Sequence, residues 1–215
     1  LVRLDVTELR ALRAQAKANL DYEVVKLAEL NKGVREEDVA VSAARVESAK
    51  VALRDSQKNM FDKMAIAYTV ADDAVRNKTD EFYRNPRTRS PEFSAPVTET
   101  KLVSELEQSR VANEDLLILW GKKVSSWNDS TDIVLAMNES EENLSQIKNY
   151  LEKLAFAING IIPSSSATQA IIDGWKLDVS TARTNVNSAI SSVIGAEQSY
   201  RALDQALKIS QNELS

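Results

Sequence analysis

The stretch that decides the fold is Trp175-Lys-Leu-Asp-Val-Ser-Thr-Ala-Arg-Thr-Asn-Val-Asn-Ser-Ala-Ile-Ser-Ser-Val-Ile-Gly-Ala-Glu-Gln-Ser-Tyr-Arg-Ala-Leu-Asp-Gln-Ala-Leu207. Trp175, Val179, Ala182, Val186, Ala189, Val193, Ala196, Tyr200, Leu203 and Leu207 alternate four- and three-residue steps without losing phase, the heptad rhythm of a helix packed along its length. Upstream, Ser166 and Gln169 have the spacing of a capping box that opens this helix. Alanines make the seam thin, so its partner must be thin as well. Gly195 within it reads either as a point of close helix approach or as a tolerated cost of about 1 kcal/mol.

Working outward, a matching thin seam runs through Val39, Ser42, Val46, Ala49, Leu53, Ser56 and Met60. Beyond Met60 the apolar face widens to Phe61, Met64, Tyr68, Ala71, Val75 and Phe82, as when one partner helix becomes two or three. Glu36, Glu37 and Asp38 place negative charge in the first turn, where the helix dipole favours it. The pattern predicts one helix from Glu36 to about Arg84, roughly 70 Å long, and a final helix of comparable length. Earlier still, Leu9, Leu12, Ala16, Leu20, Val24, Leu27 and Leu30 mark a helix that Asp5 and Glu8 open as a capping box and Lys32-Gly33 closes near Asn31. Leu1-Val-Arg-Leu-Asp5 alternates apolar and polar and reads as the stub of a strand.

Between the long helices, Asn85-Pro86, Ser90-Pro91 and Ala95-Pro96 disfavour helix and predict a loop. Thr98 starts a third helix carrying Leu102, Leu106, Leu116, Trp120 and Trp127, interrupted by the polar stretch Ser125 to Thr131. A fourth stripe, Leu144, Ile147, Leu151, Leu154, Ile158 and Ile161, ends at Gly160 and Pro163. Neither long helix fits within a compact globule. The expected fold is therefore all-α: a long antiparallel coiled-coil hairpin carrying a four-helix-bundle tip. Residues 1–5 are the end of a strand, 6–60 and 176–215 the hairpin stem, and 61–175 the tip.

Composition narrows the chemistry. Among 215 residues there is no Cys and no His, which removes disulfides, thiol nucleophiles, imidazole bases and the usual zinc sites. Only five Gly and four Pro favour long helices over sandwiches and barrels. The balance of 27 basic and 32 acidic residues, net -5, attracts neither nucleic acid nor anionic lipid. No run of 18 apolar residues occurs, and no basic-then-apolar leader. The chain opens on Leu1, so a fragment or processed product is expected, with any anchor or export signal in the missing ends.

Four sets of residues carry competing readings. Gly33 with Arg35 and Asp38 is a candidate hinge, or one helix ending and another beginning. Arg84, Arg87 and Arg89, beside three prolines, are a candidate contact with a partner or lipid headgroup, or a solvated loop. Trp120 and Trp127, seven apart, are a recognition patch or part of the bundle core. Asp72-Asp73 and Glu141-Glu142 become candidates for metal or acid-base work only where a second pair converges on them. No catalytic, cofactor-binding or metal residue is expected, and no enzyme activity.

Leu1-Val-Arg-Leu-Asp-Val-Thr-Glu-Leu9 followed by Ala14-Gln-Ala-Lys-Ala-Asn-Leu20 resembles the exit from the first half of a lipoyl-like domain into the helical hairpin of periplasmic adaptors, the membrane-fusion proteins of the haemolysin-secretion (HlyD-like) family. Leu30-Asn-Lys-Gly-Val-Arg-Glu-Glu-Asp-Val39 and Ala43-Ala-Arg-Val-Glu-Ser-Ala-Lys-Val-Ala-Leu53 are similar to the Gly-x-Arg-x-Glu-Asp-Ile break of the rising arm. Ala196-Glu-Gln-Ser-Tyr-Arg-Ala-Leu203 onward resembles the returning arm. Asp62 through Trp175 resembles an enlarged tip, in which the Arg/Leu/Ser docking signature of efflux members has no placed match. The resemblance covers roughly the first sixty and last forty residues.

It implies an extracytoplasmic or periplasmic adaptor, anchored to the cytoplasmic membrane through segments outside this chain. It also implies an inner-membrane transporter of ABC or proton-driven type as partner, self-association of the full-length protein into a conduit, and an outer-envelope component. Cofactors and nucleic acid play no part in it. The other reading is an extracytoplasmic four-helix-bundle sensor that binds a ligand between its helices. Connectivity separates the two: a sensor's outer helices continue into membrane spans, an adaptor's into β-rich half-domains.

Overall fold

The computed structural model describes residues 6–31, 35–128, 130–165 and 167–214. The fold is all-α: among the described residues there are five α-helices and two residue pairs of strand. The helices are α1 (Thr7–Asn31), α2 (Glu36–Asp72), α3 (Thr100–Ser126), α4 (Ile133–Asn159) and α5 (Gln169–Leu214), with β1 (Tyr83–Arg84) and β2 (Glu92–Phe93) between α2 and α3. The expected strand over residues 1–5, with the capping residue Asp5, lies outside the described residues, as do Gly33 and Ser166. No described helix is long and apolar enough to cross a membrane.

The chain forms two compact units, Leu1–Ala49 with Lys208–Ser215, and Lys50–Leu207. The second is wider than the 61–175 read for the tip from side-chain size. In the first unit, α1 begins where the Val6 carbonyl accepts the Arg10 N–H at 3.0 Å. Its large apolar side chains from Leu9 to Leu27 are 55–66 % exposed. Arg35 starts α2, its carbonyl accepting from the N–H groups of Asp38 and Val39. Val46 is buried, and Arg45 lies 3.9 Å from Glu213 in an exposed ion pair that adds little stability.

The second unit is four helices around one core, and its side-chain partners give the directions. As α2 advances through Phe61, Tyr68 and its continuation at Arg76, the α3 partners step back through Trp127, Trp120 and Glu114. Between α3 and α4, Glu105 meets Lys153, Asn113 meets Gln146 and Lys123 meets Glu139. Glu141 on α4 faces Glu197 on α5, while Ala155 and Ile158 lie beside Lys176 and Val179. Lys63, Ile66 and Val70 of α2 adjoin Ser192, Ala189 and Asn185 of α5, and Lys78 pairs with Asp178. The topology is up-down-up-down, and the unit's entry at Lys50 and exit at Leu207 fall at the same end.

The core follows the sequence periods. Val179, Ala182, Val186, Ala189, Val193 and Ala196 of α5 are buried in step, against Met60, Met64, Ala67 and Ala71 of α2 and Leu144, Ile147, Leu151, Leu154 and Ile158 of α4. Trp120 is buried, and Trp127 half-buried against Phe61 at 5.6 Å.

α2 stops short of the expected Arg84. After Asp72 the chain makes one π-helical turn, Asp73–Asn77, and a 3₁₀ turn, Asp80–Phe82, before β1. The Lys78 N–H reaches the Asp73 carbonyl, an i→i−5 bond that takes the ladder out of α-helical register, and the Thr79 hydroxyl donates to the Val75 carbonyl at 2.7 Å. Val75 and Phe82 stay buried, which kept the side-chain pattern while the backbone changed. β1 and β2 pair antiparallel, Tyr83 with Phe93 and Arg84 with Glu92, around a turn where Asn85 takes φ 52°. α3 starts at Thr100 rather than Thr98. α5 starts at Gln169 with the Thr168 carbonyl accepting the Ile172 N–H, two residues beyond the expected cap at Ser166.

Candidate functional site

Two surfaces of the four-helix unit have distinct chemistry, and a buried ion network holds the backbone between them. Arg110 is fully buried on α3, in the apolar stripe formed by Leu106, Leu117 and Trp120. Its guanidinium reaches Asp80 at 2.5 Å and Glu114 at 2.9 Å. Arg76 adds bonds to Glu114 at 2.6 Å and Asp72 at 2.8 Å. Burial works against the charge on Arg110, but hydrogen bonds to Asp80 and Glu114 outweigh it and hold the group above its ordinary value. Glu114 is likewise partly buried, and Arg76 and Arg110 hold its carboxyl below the usual carboxylate range. Among the described residues, Arg110 Nε has no hydrogen-bond partner.

Beside this network the Tyr150 hydroxyl donates to Thr79 at 2.9 Å, while the Tyr83 hydroxyl donates to the Leu106 carbonyl. Burial raises both phenols, so they remain neutral hydrogen-bonding groups. Together these bonds fasten the 78–99 excursion to α3 and α4.

The excursion carries the three arginines. Arg87 pairs with Asp80 at 2.9 Å and donates to the Arg76 carbonyl; Arg89 pairs with Asp115 at 2.5 Å; Arg84 is exposed on β1. Asp115 lies fifteen residues into α3, so the turn folds back about 22 Å along the α2/α3 flank. Two of the three charges are thus met within the chain, on a flank rather than at the end. Of the hinge residues, Arg35 and Asp38 form the first turn of α2, and Gly33 lies outside the described residues.

The end of the unit carries a mainly apolar cleft, with Glu99 and Asn159 among its lining residues. Pro96, Val97 and Leu102 face Phe156, Gly160 and Ile162 across a cleft of about 550 Å³. Phe156 is 69 % and Ile162 82 % exposed. A second groove, polar and about 570 Å³, follows α3 and α4 past Ser109, Asn113, Ser145, Gln146, Asn149 and Lys153.

The paired carboxylates diverge, as adjacent helical residues must. Asp72 accepts from Arg76 and Asp73 from Asn77, while Glu142 borders the polar groove. Glu141 meets one further acid: burial, then Glu197, raises its carboxyl above the ordinary range. Burial and Asp178 do the same to Glu81. Among the described residues, no cluster of three or more acids is placed to hold a metal ion.

Arg110 went unread in the sequence, although its position in the apolar stripe, four residues after Leu106 and seven before Leu117, was a signal for it. Its acids come from two different stretches, and that pairing requires the fold. No family model, no curated protein and no solved structure matches the chain.

Proposed function

We propose that this chain is the helical docking part of an extracytoplasmic adaptor, a membrane-fusion subunit of an efflux or secretion transporter complex. The observation that carries the reading is the mainly apolar cleft at the end of the four-helix unit. Phe156 and Ile162 project beside a cleft at the end opposite the unit's entry and exit, where a docking surface is expected to stand. The resemblance of residues 1–60 and the last forty to the adaptor hairpin supports the same reading, with an inner-membrane ABC-type transporter and an outer-envelope component as partners. The work is mechanical: reach, docking and assembly of a conduit, with no covalent chemistry.

The test uses the full-length protein in its own cell. Phe156→Ser with Ile162→Ser should abolish transport while leaving protein level and association with the transporter unchanged. Undiminished transport in the double variant removes the docking role. The polar groove between α3 and α4 favours a second reading, a sensor that holds a hydroxylated or zwitterionic ligand there. Reading frames on both sides that continue into membrane spans, rather than β-rich half-domains, select that second reading.

A further inference from the structure

α1 carries an apolar stripe that no described residue covers: Leu9, Leu12, Leu20, Val24 and Leu27 are each more than half exposed. A contiguous face of this kind marks an interaction surface. Two further properties say what fits it.

The first is symmetry. Leu9, Leu12, Ala16, Leu20, Val24 and Leu27 are spaced three, four, four, four and three residues apart, a palindrome centred on Ala18. A second copy of the helix laid antiparallel sets Leu9 against Leu27, Leu12 against Val24, and Ala16 against Leu20. Every apolar residue of the stripe then meets another.

The second is charge. Residues 7–18 hold Glu8 against Arg10, Arg13 and Lys17, net +2, and residues 19–31 hold Lys26 against Asp21, Glu23 and Glu29, net -2. At the C-terminal end this polarity opposes the helix dipole, since the last turn holds Glu29 and no base, whereas Glu8 in the first turn suits it. A parallel copy sets like charge beside like. An antiparallel copy sets the basic half of each helix beside the acidic half of the other.

We propose that α1 pairs antiparallel with α1 of a second copy of this chain, in a twofold contact centred near Ala18. The pairing stands apart from the adaptor reading and uses none of the surfaces of the four-helix unit.

The chain has no Cys, so introduced thiols report without background. At concentrations on the order of 100 μM, sedimentation should give twice the 23.8 kDa of one chain, with dimer lost as salt rises. Leu12→Glu with Leu20→Glu should give monomers whose thermal unfolding by circular dichroism matches the parent, because α1 contributes nothing to the core. Under mild oxidation, Leu9→Cys mixed with Leu27→Cys should yield a mixed disulfide dimer, and Leu9→Cys alone should not. A monomeric parent chain, a dimer that survives the double glutamate variant, or a disulfide from Leu9→Cys alone overturns the proposal.

Discussion

Gly195 and Gly121 are both glycines inside helices, and the space around them differs. A Cβ at Gly195 meets nothing within 4 Å, whereas one at Gly121 lies 2.5 Å from the Tyr68 hydroxyl, on a ring stacked edge-on to Trp120. Gly195 therefore carries the entropic cost of glycine without any close approach to justify it. Gly195→Ala should stabilise the chain by about 0.5–1 kcal/mol in denaturant titration. Arg110 is the opposite case, a charge kept in the core by its partners. Arg110→Ala should cost about 3–5 kcal/mol, toward the lower end because Asp80 keeps Arg87 and Glu114 keeps Arg76. Glu141 gives a pH signature. Its folded carboxyl is raised by burial and by Glu197, so the folded state binds that proton more tightly than the unfolded chain. That contribution is complete below the ordinary carboxylate range and is lost as pH rises through the raised value. Glu114 has the reverse sign, stabilising above the ordinary range and losing that contribution as pH falls. Glu141→Gln should raise the melting temperature at neutral pH and leave a smaller gain on mild acidification than in the parent chain.

At the scale of the element, what the sequence revealed and what it hid divide along one line. α5 was readable because its environment repeats: each seam position from Val179 to Ala196 meets the same kind of neighbour, and burial alternates with the heptad. α4 was readable for the same reason, from Leu144 to Ile158. The end of α2 was not. Val75 and Phe82 preserve a helical spacing across a π turn and a 3₁₀ turn, and side-chain periodicity is blind to which carbonyl an N–H has chosen. The cap of α4 was also passed over, although Asp132 accepts from the N–H groups of both Val134 and Leu135. Its signal is local, an acid ahead of an apolar run, and was masked by the polar stretch around it. The arginine loop shows the limit of reading charge: Arg87 and Arg89 look free in sequence, and their acids sit seven and twenty-six residues away.

For the whole molecule, the apolar cluster of buried residues runs from Met60 to Ala196 and, among the described residues, draws on none of the first unit. All the long-range ion pairs around Arg110 also lie within the second unit. A fragment spanning residues 50–207 should therefore fold alone, unfold cooperatively, and melt within a few degrees of the full chain by calorimetry. Loss of that cooperativity makes the first unit part of the core's support. The all-helical class was readable from composition and period together, since few glycines and prolines leave long uninterrupted stretches. The surfaces were not, because a cleft is made by residues distant in the chain.

The unit's two ends fall together at one end of an antiparallel helix pair, and this bears on how such a chain is inherited. A segment that leaves a host helix and returns beside its point of departure can be spliced in or out by one genetic event, without shifting the residues on either side. Residues 50–207, with both ends at one pole of the four-helix unit, meet that condition.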